Sequence, residues 1–177
     1  MLLSTHGAVL LLVDLQERLV PAKHDGETMV ARAVRLAEAA QLLDVPICAT
    51  EQYPTGLGHL VPPLAAYPQV VLAKTAFSPT ADVGFSTLFP PGTAEVVVAG
   101  CEAHVCVLQT VHGLLAQGLH VKWIADAVGS RHPADRLTAT ERARDLGADI
   151  LTTEMVVFEW MATSRHPSFK AMSKLIR

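Results

Sequence analysis

Residues 8–13, Ala-Val-Leu-Leu-Leu-Val, form an unbroken apolar run with no polar alternation. A strand covered by helices on both faces reads this way, because neither face meets water. From residue 28 to about 43, Val30, Ala33, Val34 and Ala37 recur at helical spacing while Arg32, Arg35 and Glu38 point elsewhere. That periodicity predicts the first crossover helix. Residues 45–50 read as a second strand, with Pro46 near its start, where a missing N–H is tolerated. Residues 70–73 and 95–99 read as the third and fourth strands. Gly100 then opens a turn, and Val107, Leu108, Val111, Leu114 and Leu115 trace a helical face from about residue 104 to Gly118.

Residues 119–125 make a fifth strand. Pro133 and Gly147 bracket a helix over about 133–146, Ile150 and Leu151 mark a sixth strand, and 153–161 and 167–176 read as terminal helices. Strands alternating with helices imply a parallel sheet joined by right-handed crossovers, hence an α/β fold of three layers, an α/β/α sandwich. Residues 51–68 break the rhythm with a long Pro- and Gly-bearing loop, a length that usually serves function.

Composition narrows the class. The chain has 177 residues, 50% of them apolar and 18% charged, so one domain with a sizeable core is expected and disorder is not. A net charge of −3 gives no reason to expect nucleic acid or an anionic membrane as partner. The 8–13 run falls far short of the roughly 20 residues of a membrane span. No Lys or Arg precedes it, so a secretory signal is not expected and the cytoplasm is. Three cysteines, Cys48, Cys101 and Cys106, argue against a disulfide framework and leave room for a working thiol.

Ligands of open α/β sheets bind beyond the carboxyl ends of the strands. Asp14 ends the first strand, Lys74 ends the third, and Cys106 falls in the first turn of the helix after the fourth, so all three are directed to one edge. A helix N-terminus and a nearby ammonium lower a thiol's pKa, which would arm Cys106 as a thiolate. Asp14 would carry the proton to a leaving amine, and backbone N–H groups of the 100–106 turn would hold the oxyanion. The combination predicts acyl transfer to water through a thioester.

Val13-Asp14-Leu15-Gln16, the segment around Lys74 and Gly100-Cys-Glu-Ala-His-Val-Cys106-Val107 resemble the signature segments of the isochorismatase-like cysteine hydrolases. Residues 50–58, 72–78 and 166–170 are similar to the subgroup of isochorismatase-domain-containing protein two. The resemblance implies a central six-stranded parallel sheet and a triad of Asp14 as base, Lys74 as electrostatic partner and Cys106 as nucleophile. It also implies a cis Cys101–Glu102 peptide, with the backbone N–H groups of Glu102 and Cys106 as the oxyanion hole. Members with this cysteine hydrolyse C–N bonds of small amides, carbamoyl or ureido compounds, and small domains of this kind commonly form homo-oligomers.

Nicotinamidases of the family hold a metal through Asp-X-His after the second strand, where this chain has Glu51-Gln52-Tyr53, so neither metal nor other cofactor is expected. Gln16, Tyr53 and Phe77 lie near the strand ends and are nominated as substrate-pocket residues, with core or loop packing as the plainer role for the two aromatics. His104 as a papain-like base ranks below Asp14, because a two-residue offset points it away from Cys106. A redox pair of Cys101 with Cys106, and a regulatory or interaction module that keeps the fold without turnover, are the competing readings.

Overall fold

The unbroken run at the start of the chain becomes strand β1 (Ala8–Val13), paired in parallel on one side with β2 (Ile47–Gln52) and on the other with β4 (Glu95–Cys101). The computed structural model describes residues 2–176. Strands β3 (Val70–Lys74), β5 (His120–Gly129) and β6 (Asp149–Leu151) complete an all-parallel six-stranded sheet of order β3-β2-β1-β4-β5-β6. Helices α1 (Gly26–Leu42), α5 (Thr153–Met161) and α6 (Phe169–Leu175) contribute to one apolar layer. Helices α3 (Leu108–Ala116) and α4 (Pro133–Asp145) contribute to the other.

The missing alternation in β1 has the expected cause. Leu10 and Leu12 pack with Ala33, Leu36 and Trp160, while Val9, Leu11 and Val13 pack with Val107, Val111 and Leu114. Each such side chain, fully removed from water, contributes about 2 kcal/mol relative to exposure. Asp14 therefore stands at the mouth of a strand anchored on both faces.

Several boundaries differ from the sequence reading. Pro46 stays outside β2, its carbonyl accepting from Leu10 N–H at 2.9 Å, and the strand runs on to Gln52. β5 continues to Gly129 through a register irregularity opposite Val98 and Gly100. Asp126 is tolerated inside it because its Oδ1 accepts from Thr153 N–H at 2.8 Å and Thr153 Oγ1 at 3.0 Å, at the start of α5. The 51–68 segment carries one helical turn, α2 (Pro54–Leu57), and an antiparallel bridge between Gln16 and Leu60. Short 3-10 turns at Pro79–Ala81 and Val83–Thr87, capped by the side chains of Ser78 and Asp82, fill a stretch to which the sequence reading assigned nothing.

Candidate active site

β1 ends because Asp14 turns to a left-handed backbone, φ +52°, a conformation that Asp tolerates better than most residues. Its neighbour in β4, Gly100, has φ +139°, and a Cβ there would stand 2.0 Å from the Val13 carbonyl oxygen. Only glycine lets the two strand ends close up.

The Asp14 carboxylate is wholly buried and doubly held. Oδ1 accepts from Thr50 Oγ1 at 2.6 Å, and Oδ2 accepts from Lys74 Nζ at 2.8 Å. Lys74 is the one buried residue of β3, and its Nζ also donates to Gln52 Oε1 at 2.7 Å. A buried ammonium without partners is costly, and here a carboxylate and an amide oxygen supply them.

Cys106 is 6% exposed and lies in a π-helical turn, Ala103–Val107, whose first bonds run from Val105 and Val107 N–H to the Glu102 carbonyl, both 3.1 Å. The Asp14 carboxylate and the Glu102 backbone N–H both lie close enough to its thiol to act on it. The expectation of a lowered pKa is corrected. Burial, then the Asp14 charge and its hydrogen bond, push the thiol up to about 12, outweighing Lys74 and the Glu102 N–H. Two physical reasons apply. The ammonium is already balanced by Asp14, and regular α3 begins only at Leu108, so Cys106 does not sit on an α-helical N-terminus.

The Cys101–Glu102 peptide is cis. The Glu102 carboxylate contacts Lys23 Nζ, and its Oε2 accepts from Arg131 N–H at 3.2 Å.

Of the nominated pocket residues, Gln16 is buried, Nε2 donating to the carbonyls of Gln52 at 3.0 Å and Gly58 at 2.6 Å, and Oε1 accepting from Gln52 N–H at 2.7 Å. It fastens the 52–58 loop to the end of β1 with both of its amide N–H groups engaged. Tyr53 and Phe77 are 57% and 51% exposed. Tyr53 follows β2 directly and donates its N–H to the Lys74 carbonyl at 2.9 Å, with its ring over Gly56, whereas Phe77 stands three residues beyond Lys74. His104 turns to Ser130 Oγ, 3.0 Å from Nδ1. His59 Nδ1 lies 3.0 Å from Glu51 Oε2, and among the described residues no three His, Cys, Asp or Glu side chains gather around one point.

Thr50, Gln52 and Lys23 are additions to the sequence reading. Thr50 already ended the second strand of the sequence reading, and the strand-end rule finds Gln52 once the strand is carried to residue 52. Lys23 lies in a loop with no pattern to mark it. A hollow of about 730 Å³ lined by Cys48, Val70, Leu88 and Phe89 opens at the opposite end of β2, away from this cluster.

Sheet and flanking helices define a three-layer α/β/α protein. The chain belongs to the isochorismatase family: the Isochorismatase domain matches residues 8–155. Isochorismatase domain-containing protein 2 of Danio rerio is 41% identical over 175 residues, covering 98% of this chain and 89% of that protein. Its Homo sapiens counterpart is 38% identical over 171 residues, 97% and 83% of the two chains. A solved structure described as MAR1 ribonuclease from Caenorhabditis elegans superposes with TM-score 0.93 at 36% identity, covering 99% of this chain and 92% of that one. The YcaC gene product of Escherichia coli, described as an octameric hydrolase of unknown specificity, shares the fold with TM-score 0.90 at 23% identity over 99% and 89%.

Proposed function

We propose that this chain is a cysteine hydrolase that cleaves the C–N bond of a small amide-type substrate through a thioester. The observation that carries the reading is that one buried carboxylate, Asp14, is hydrogen-bonded to the Lys74 ammonium and lies beside the Cys106 thiol. A thiol raised to about 12 stays protonated at neutral pH, so Asp14 takes its proton only as sulfur attacks the carbonyl carbon. The S–C bond forms, negative charge moves to the carbonyl oxygen, and the backbone N–H groups of Glu102 and Cys106 receive it. Collapse breaks the C–N bond, and Asp14 returns the proton to the leaving amine.

Water then attacks the thioester, giving its proton to Asp14, which restores the thiol as the acid departs. Lys74 holds the Asp14 carboxyl group in place by its hydrogen bond to Oδ2. No cofactor enters this sequence. Tyr53 and Phe77 shape the mouth, and the reading keeps the expectation of a homo-oligomer working in the cytoplasm.

The test is ammonia or amine release across a panel of small amides, carbamoyl and ureido compounds, with intact mass to catch the acyl-enzyme. Cys106→Ala should abolish turnover, at least 10³-fold by order of magnitude, while keeping the thermal transition. Full turnover by the variant would end the proposal. No turnover on any amide, together with an inert Cys106, would favour a regulatory module instead. The C. elegans relative bears a ribonuclease's name, so RNA is included in the panel, although a net charge of −3 offers phosphates no attraction.

A further inference from the structure

Lys23 has a side chain only 1% exposed, and its ammonium pairs with the Glu102 carboxylate, itself 13% exposed. The triad does not use this pair. Burying both charges is expensive, and an apolar pair would fill the space with less cost, so a purely stabilising role explains it poorly. Its position is more telling. Lys23 closes the 3-10 turn Val20–Ala22 ahead of α1, and the next residue, His24, donates its N–H to the Ser130 carbonyl at 3.0 Å. Arg131 N–H binds Glu102 Oε2, and Ser130 Oγ holds His104. The Glu102 side chain thus ties the turn before α1 and the end of β5 to the turn that carries Cys106.

The main chain of the same residue borders the thiol. Its carbonyl accepts the first two bonds of the π-helical turn that carries Cys106, and its N–H lies close enough to the thiol to act on it. We propose that Lys23 is a positioning residue which, by gripping the Glu102 carboxylate, fixes the direction of the Glu102 N–H toward Cys106 Sγ and the oxyanion beside it. Lys23 touches neither substrate nor sulfur in this account and acts through Glu102 alone. The inference rests on the hydrolase reading above.

The test is the rate of iodoacetamide labelling of the full chain at pH 8.5, mapped by cysteine. Cys48 and Cys101 are 1% and 0% exposed and report any loss of fold. In the wild type, Cys106 should label while the other two stay silent. Lys23→Met should slow Cys106 by about threefold to tenfold, since the thiolate loses an aligned donor. Glu102→Gln decides between mechanisms. By charge alone, removing a carboxylate near a thiol speeds thiolate formation, whereas a slackened grip slows it.

Slowing in both variants, with Cys48 silent, supports the positioning role. Acceleration in Glu102→Gln, or wild-type rates in both, overturns it while leaving the hydrolase reading intact. A wild type whose Cys106 does not label ahead of the others overturns both. Should either single variant label at Cys48, the double variant Lys23→Met/Glu102→Gln, which leaves no lone buried charge, takes its place: slowing supports the proposal and the wild-type rate overturns it.

Discussion

Asp14 accepts from a hydroxyl on one oxygen and an ammonium on the other, and the two donors come from different strands. Thr50→Val keeps the shape of the side chain and removes only the hydroxyl, leaving Oδ1 buried without that donor. A hydrogen bond to a charged group is worth about 1.5–3 kcal/mol, so a loss of about 2 kcal/mol should appear in urea unfolding near neutral pH. A loss below about 0.5 kcal/mol would mean that water replaces the hydroxyl. At this scale the sequence was most informative where chemistry interrupts an apolar pattern. Asp14 and Lys74 stand out because a charge directly follows an apolar run. Gln16, nominated for lying near a strand end, fastens the 52–58 loop, since a polar residue there serves the backbone as readily as a ligand. Lys23 was illegible because its partner is 79 residues away and nothing local requires it to be charged.

The elements were readable where hydrophobic period and length agreed, as in β1 and α5, whose limits match the sequence reading. β5 was cut short because Asp126 reads as a strand ending, when in fact α5 supplies the donors that let it stay. The sharp turn after β4 is where one residue decides the packing of two elements. At Gly100 a methyl group would meet the Val13 carbonyl at 2.0 Å, between main chains that cannot move apart without breaking the β1–β4 ladder. At Gly92, φ +84°, a Cβ meets nothing within 4 Å. Gly92→Ala should therefore lose about 1 kcal/mol from backbone strain alone. Gly100→Ala should lose more than about 3 kcal/mol, enough to threaten folding. Thermal and urea unfolding of the two variants would check the contrast, and equal losses would refute the steric account.

Across the whole molecule, all three thiols are buried and all are pushed above the ordinary value of 9.0, Cys48 to about 11 and Cys106 to about 12, chiefly by loss of water, with Cys101 raised as well. The sign of the consequence follows from proton counting. Above pH 9 the unfolded thiols release protons that the folded ones keep, so stability falls as pH rises. For Cys48 the window runs from 9.0 to about 11, at a slope of about 1.4 kcal/mol per pH unit. Urea midpoints should drop between pH 8 and pH 10, and Cys48→Ala should lessen that drop by about 1 kcal/mol. An unchanged decline would show that Cys48 opens to water in the folded state.

The outer strand of the sheet holds one more consequence. β3 is hydrogen-bonded along one side only, by β2, and Val70 and Val71 are 38% and 45% exposed, yet the strand ends in the fully buried ammonium of Lys74. An edge strand with an exposed backbone side thus delivers a fully buried charge. Fraying of β3 admits water to Lys74 and Asp14 while both apolar layers stay packed, so the site loses its alignment through an opening far smaller than unfolding. Whatever covers or stiffens that edge governs how long the carboxylate, ammonium and thiol remain in register.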